Sequence, residues 1–381
     1  MNAMADIDLV WTFQPLAAAL EEWHAAKAAL TVATPQDIAF VSQWHAHVNS
    51  QCFAVTARSA RGIEFLLPLE VVKKSGLKFA RFPGGSHANA NFAPTAASFA
   101  GLEPGEILIS IQLAAARGGL LADAILLERM LESLGGIPNP LVLPDSSVSP
   151  NVALSFALSD DFKDVLKDRN GAKKQKKMRQ MQRRMEDRGG WRVFRADTPA
   201  ECERVLDRFF KLKGERLKSM GLKDVFAPAE VQSFFKTLFI GALDSPSPSY
   251  ELHALEVGGE IAAVGGCTVR GRHLTVEFGG ICSSDRQLSP GDILYHQLIE
   301  QCCKRGFETF DFGVGDEFYK RRWCDVETWH RDTFIPLTIN GRIAVSALKR
   351  IAALKKSIKN NPKLFGLIKR IRGKAKAPEQ D

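Results

Sequence analysis

The stretch "SYELHALEVGGEIAAVGGCTVRGRHLTVEFGGICSSDRQLSPGDILYHQLIEQCCKRGFETFDFGVGDEFYKRRW" (249–323) sets out its elements in order. Three apolar runs separated by glycine turns read as three strands. "SPGDILYHQLIEQCCKRG" reads as a helix with Pro290 in its first turn. "FETFDFG" reads as a further strand and "DEFYKRRW" as a turn and a helix. Two glycines, an acidic pair, a tyrosine, three cations and a tryptophan follow that last strand. So much polar and aromatic material at one strand end marks it for function.

Upstream, "PAEVQSFFKTLFIGAL" and "TPAECERVLDRFFKLKGERLKSMG" are helical. The second opens on Thr198 and Pro199, with Glu201 placed as in a capping box. "LKDRNGAKKQKKMRQMQRRMEDRGG" is basic, and Met178, Met181 and Met185 recur on one helical face, which predicts packing. In the first half, "PLAAALEEWHAAKAAL" and "PQDIAFVSQWHAHV" predict helices. "CFAVTARSARGIEFLLPLEVVKKSGLKFARFPGG" predicts a hairpin and a further strand. "GEILISIQLAAARGG" and "ADAILLERMLESLGG" predict a crossover helix and another helix. The Pro- and Ser-rich "PNPLVLPDSSVSP" (139–150) is the expected joint between halves. The order is α+β, or mixed α/β, rather than a regular βαβ array. The first half loosely repeats the second, as an ancient duplication would.

The 381 residues suit about two domains. Net charge is +8, but twelve Lys/Arg from Arg342 onward face only Glu379 and Asp381. The tail therefore carries an excess of ten, and the rest of the chain is slightly acidic. That distribution excludes a uniformly basic nucleic-acid binder. The seven cysteines show no CxxC spacing, so neither a disulfide framework nor a zinc site is expected. His45 and His47 sit two apart on a helical stretch and do not face each other. No metal is expected. The start, "MNAMADIDLVWTFQPL", lacks a basic region followed by an apolar one, so a cytoplasmic protein is expected. In the tail, Leu348, Ile351, Leu354 and Ile358, then Leu364, Phe365, Leu367, Ile368 and Ile371, form apolar stripes opposite Lys/Arg. This pattern describes either a helix lying on anionic lipid at the inner membrane face or a tail docked on its own domain.

Over roughly residues 15–336 the chain resembles the GNAT acyltransferase superfamily. More narrowly it resembles the CelD-like branch, named for cellulose biosynthesis and itself similar to FemAB-like transferases. "SPGDILYHQLIEQCCKRG", "FDFGVGDEFYKRRW", "LKDRNGAKKQKKMRQMQRR" and the first-half "FLLPLEVVKKSGLKFARFPGG" carry the likeness. It implies tandem GNAT-like acyl-CoA N-acyltransferase domains with mixed central sheets. The expected division is 8–150 for an N-terminal half, 151–340 for the acyltransferase domain, and 341–381 for a basic amphipathic tail. It implies acetyl-CoA or another acyl-CoA as donor, held where two neighbouring strands splay. The loop from the first of these strands enters a helix whose N-terminus attracts phosphate. That loop is Arg286, Gln287, Leu288, Ser289, Pro290 and Gly291. The superfamily's usual pair of glycines around one residue is replaced here by Ser289, Pro290 and Gly291.

By the same resemblance Tyr319 protonates the leaving thiolate. Only three tyrosines stand against 24 phenylalanines, so the hydroxyl is not casual. Glu277, between Val276 and Phe278, is the candidate base, with a carboxyl open to desolvation. Asp311 and Asp316 are further candidates for binding or deprotonating the acceptor, or else turn formers. Lys320 is a candidate for a phosphate or acidic acceptor, or else a solvated helix position. Trp323, Arg169 (which matches an arginine of the family pattern) and His253 complete the candidate substrate-binding set. The basic segment 163–195, with thirteen Lys/Arg against four Asp/Glu, reads as a solvated helix or as a platform for an anionic substrate or CoA phosphates. RNA binding would want aromatic residues interleaved with the charges, and the basic run before Trp191 has none.

The implied function is direct acyl transfer to an amine or hydroxyl on a small-molecule or saccharide-linked acceptor, in exopolysaccharide or envelope biosynthesis. The alternatives are a FemAB-like transferase using aminoacyl-tRNA, and a non-catalytic scaffold of a membrane synthase complex.

Overall fold

The computed structural model describes residues 8–167, 169, 171–282 and 286–360. The first half runs β1 (Val10–Pro15), α1 (Leu16–Ala26), β2 (Leu30–Thr31), α2 (Ile38–His47), β3 (Cys52–Ser59), β4 (Gly62–Lys74), β5 (Leu77–Arg81), β6 (Thr95–Ala96) and α3 (Pro104–Arg117). It continues through β7 (Ala124–Met130), β8 (Ser133–Leu134), β9 (Ile137–Pro138) and β10 (Ser147–Ala157). The second half runs α4 (Phe162–Lys167), α5 (Gly171–Glu186), β11 (Trp191–Arg195), α6 (Pro199–Ser219), α7 (Ala229–Ala242), β12 (Tyr250–Val257), β13 (Glu260–Arg270) and β14 (His273–Ile281). It ends with α8 (Pro290–Lys304), β15 (Thr309–Val314), α9 (Phe318–Arg321), β16 (Val326–Pro336) and α10 (Ile339–Asn360).

Turn chemistry sets the hairpins. Ser75 and Gly76 join β4 to β5, and Gly258 and Gly259 join β12 to β13, all with positive φ. Two left-handed residues in a two-residue loop make the turn whose twist matches paired strands. At the start of α6, the Thr198 hydroxyl accepts from the Glu201 N–H at 3.2 Å. Glu201 reaches back to the N–H of Asp197, one residue beyond the cap.

A single mixed sheet runs through both halves in the order β1-β3-β4-β5-β7-β16-β10-β15-β14-β13-β12-β11. Only β5–β7 and β14–β15 are parallel pairs on this path, spanned by α3 and α8 respectively. Each half thus repeats a hairpin, a strand, a crossover helix and a parallel strand. Between them lie β16 and β10, with β16 pairing β7 on one side and β10 pairing β15 on the other. Pro150, the expected end of the first half, lies inside β10. The halves also share a core. Phe40 and Trp44 of α2 pack edge-on against Phe234 of α7, at 5.0 and 5.1 Å between ring centroids.

One expected helix is a strand. "ADAILLERMLESLGG" forms β7 and the small β8–β9 hairpin. Leu, Glu, Arg and Met favour helix locally, but propensity is a weak prior. Here Ala124, Ile125, Leu127 and Met130 are all fully buried, because both faces of β7 are covered. Ile125 and Leu127 share one apolar cluster with Ile107 and Ile111 of α3, and Ala124 shares another with Val345 of α10. A short strand buried on both sides loses the alternation that would have marked it.

The start of α10 docks through Val345 on Phe79 and Ala124, while Ile339, Ile343 and Ile351 face solvent. The second apolar stripe of the tail, Leu364 to Ile371, lies outside the described residues. No described helix is long and apolar enough to cross a membrane. Among the described residues no group of His, Cys, Asp and Glu could hold a metal ion.

Candidate active site

β14 and β15 pair only from His273–Thr309 to Thr275–Asp311. Beyond that point β15 follows β10 and β14 follows β13, each across a register shift. The two strands part, and a cavity of about 230 Å³ opens between them. Glu277 and Gly279 line it from β14, Phe312 and Val314 from β15, and Tyr319 and Lys320 from α9. Helix α6 closes one side with Lys213 and Arg216. Gly313 has φ +67, and a Cβ there would stand 2.7 Å from the Val276 carbonyl oxygen. Glycine at 313 lets the strands stay close where they begin to part.

Tyr319 is half-buried and stacks on Tyr295 of α8. Burial raises its hydroxyl well above the usual range, and the Glu317 charge adds to this. The phenol therefore keeps its proton at neutral pH. Lys320 is buried, not on a solvated face. Its ammonium donates to the Val314 carbonyl at 2.9 Å and pairs with Glu317 at 3.0 Å, fixing the turn from β15 into α9.

Glu277 is the centre of a network that sequence reasoning missed. Burial raises its carboxyl to about 7, and the Asp311 charge pushes the same way. Thr268 donates to it at 2.9 Å. Asn89 also hydrogen-bonds it, and Arg129 favours its ionised form. The Arg129 guanidinium donates to the Asn89 side-chain oxygen at 2.9 Å, leaving the Asn89 amide free to donate. Arg129 itself has φ +55, uncommon outside glycine. Its N–H turns to the Asp332 carboxylate at 2.8 Å, where β7 and β16 shift register. Both Asn89 and Arg129 belong to the first half. The only sequence signal was the odd "HANAN" loop.

Glu277 also borders a second, small cavity of about 40 Å³ between the halves. Phe40, His87 and Asn89 line it from the first half, and Tyr250 and Phe278 from the second. The Tyr250 hydroxyl shares its one proton between the Thr34 carbonyl and Asp37, tying the halves together there.

The other predicted residues lie as follows. Asp311 accepts from the Gly313 N–H at 2.7 Å, a turn-forming bond, and stands 3.5 Å from His273. Asp316 is exposed and paired with Arg321 at 2.6 Å. His253 is buried against Glu251 at 3.0 Å. Burial pushes the Glu251 carboxyl up, but His253 and Arg305 outweigh it and hold the group far below the carboxylate range. That ion cluster is not among the cavity's lining. Arg286 to Leu288 form one 3-10 turn, with Gln287 exposed and Leu288 buried beside Met178 and Ile293. Ser289 is left-handed at φ 47, Pro290 opens α8, and a Cβ on Gly291 would meet Ile281 at 2.6 Å. Residues 283–285 of this loop lie outside the described residues. Trp323 and Arg169 are joined, the guanidinium donating to the Trp323 carbonyl at 2.7 Å. They line a different cavity.

A parted parallel strand pair with a helix entering from the first strand is the arrangement expected of a GNAT domain. Residues 172–321 match the acetyltransferase (GNAT) domain family. The GNAT domain makes the chain an acyltransferase. No curated protein matches it in sequence. Among solved structures the fold is similar to that of FemX, with a TM-score of 0.55 at 10% identity, covering 85% of this chain and 97% of that one. A tandem GNAT protein from the clavulanic acid biosynthesis pathway gives a TM-score of 0.47 at 12% identity, covering 87% of this chain and 99% of that one. At such identities the FemX likeness concerns the fold alone.

Proposed function

We propose that the protein transfers an acyl group, acetyl or longer, from acyl-CoA to an amine or hydroxyl by direct attack in a ternary complex. The observation that carries this is the placement of Glu277 and Tyr319 on one cavity between the parted strands. A carboxyl near 7 is matched to accept a proton at neutral pH, and a phenol that keeps its proton is matched to give one. In the proposed step the acceptor nitrogen or oxygen attacks the thioester carbon and loses its proton to Glu277, directly or through water. The C–S bond breaks with its electron pair on sulfur, and Tyr319 protonates that sulfur. Solvent returns the proton from Glu277 to Tyr319.

The acceptor would enter from the side of the first half, since Glu277 also borders the cavity between the halves. Residues 8–150 would then present the acceptor and 151–340 the donor. A saccharide-linked acceptor in exopolysaccharide or envelope synthesis follows from the CelD-like resemblance alone, and a place at the inner membrane face for the tail follows from its apolar stripes opposite Lys/Arg. A second reading, FemAB-like transfer from a charged tRNA, draws support from the FemX-like fold and the basic α5.

The test is calorimetry with acetyl-CoA, longer acyl-CoAs and charged tRNA, followed by thiol release with amine and hydroxyl acceptors. Acyl-CoA binding with acceptor-dependent thiol release is expected. Binding of charged tRNA without acyl-CoA would replace this reading with the second. Binding of neither would leave a scaffold.

A further inference from the structure

A second charged cavity lies outside the strand cleft. Helix α5 and the segment leaving α9 enclose a cavity of about 640 Å³. Arg169, Lys173, Lys174, Lys177, Arg321 and Arg322 line it, with Asp325 as the one acid in the lining.

The ion pairs here do not balance. Arg169 pairs with Asp325, Lys177 and Arg322 share Asp292, and Arg321 holds Asp316 and Glu327. Lys173 and Lys174 have no carboxylate partner among the described residues. Six cations against four carboxylates leave two positive charges in excess. Lys174 is the acute case, because it is only 6% exposed. Its ammonium donates to the Arg322 carbonyl at 2.8 Å and sits 3.7 Å from the Trp323 ring centroid. Burial, with Arg322 and Arg169 nearby, lowers its pKa to about 8. The Asp292 carboxylate offsets this only in part, and a buried cation with no carboxylate in direct contact is costly unless something supplies a counter-charge.

We infer that this cavity binds a phosphate dianion: a diphosphate diester or a terminal phosphate, gripped by Lys173, Lys174 and Lys177 on one wall and Arg169 and Arg322 on the other. The charge excess matches such a group, and guanidinium and ammonium groups are its usual partners. Two sources share this chemistry. One is the nucleotide end of the donor, for Asp292 in the first turn of α8 ties α8 to the cavity wall. The other is a phosphorylated acceptor. The inference does not depend on the acyl-donor reading, because inorganic pyrophosphate can test it without any acyl chemistry.

The experiment is calorimetric titration of the full chain with pyrophosphate, in wild type, Lys173→Gln and Lys174→Met. Each variant should bind about tenfold or more weakly, the scale of one lost charged contact. Without ligand, Lys174→Met should melt no lower than wild type, since it removes a buried charge that has no carboxylate in ion-pair contact among the described residues. Lys173 is exposed and its replacement leaves the core intact, so a folding failure of the Lys174 variant would not block the test. Competition with CoA separates the sources: displacement of pyrophosphate assigns the site to the donor, and simultaneous binding assigns it to the acceptor. Absence of pyrophosphate binding to wild type, or equal affinity in wild type and Lys173→Gln, overturns the inference.

Discussion

Tyr319 lies face to face on Tyr295, with ring centroids 5.9 Å apart and planes 5° from parallel. Phe312 meets both rings edge-on, at 5.7 Å and 5.1 Å. The strand β15 and the helices α8 and α9 thus hold one phenol in place from three directions. A proton donor that must meet a leaving sulfur gains from such preorganisation.

Tyr319→Phe keeps the stack and removes only the hydroxyl. Turnover should fall by about 100- to 10,000-fold, the usual worth of general acid catalysis, with little change in acyl-CoA affinity. Steady-state kinetics with a direct binding measurement check this. A loss below about threefold takes Tyr319 out of the chemistry.

With Glu277 as the proposed base, kcat/KM should rise through about pH 7 in wild type, and Glu277→Gln should abolish that rise. It should also change stability in a defined direction. The folded pKa of about 7 lies above the ordinary 4.5, so the ionised carboxyl costs stability in the native state. That cost is absent when both states are protonated, grows as pH rises between the two values, and is complete above 7. The glutamine variant should therefore match wild type near pH 4 and exceed it by about 1–3 kcal/mol at pH 8. Denaturant melts at the two pH values read the difference, and equal stability at both would contradict a desolvated Glu277.

Gly279→Ala should act on Tyr319 at one remove. A Cβ at 279 would stand 2.7 Å from the Tyr295 hydroxyl oxygen. Tyr295 must shift, at about 1–3 kcal/mol of stability, and the stack shifts with it. Adding Tyr295→Phe removes the nearer of two close atoms, leaving the Val264 carbonyl oxygen at 3.3 Å, and should restore most of the melting temperature and turnover. Failure of that rescue would show the glycine is needed for another reason.

Removing residues 346–381 should leave the fold intact, because the docked contact of α10 is made by Val345. If the tail is a lipid-facing element, the full chain sediments with anionic vesicles at low salt and the truncated one does not. Each basic residue near such a surface contributes about 1 kcal/mol, and salt screens it. Insolubility of the truncated chain would instead make the tail part of the core.

Much of the fold was written locally. Gly258–Gly259 dictates a hairpin, Thr198–Pro199 starts a helix, and Met178, Met181 and Met185 do turn one buried face inward. These features depend on residues a few positions apart, so one segment carries the whole signal. Glu277 and Tyr319, which line one cavity, were both named from the sequence, Glu277 as a carboxylate between apolar neighbours and Tyr319 through the family resemblance. Tertiary structure decided the rest. It made "ADAILLERM" a strand, because coverage on both faces outweighed helix propensity. It placed Lys320 inside, holding the Val314 carbonyl and Glu317, where the sequence allowed either an anion ligand or a solvated helix position. It brought Asn89 and Arg129 to Glu277 across more than a hundred residues of chain. No local pattern encodes that meeting, since it exists only once β7, β16, β10, β15 and β14 lie side by side in one sheet.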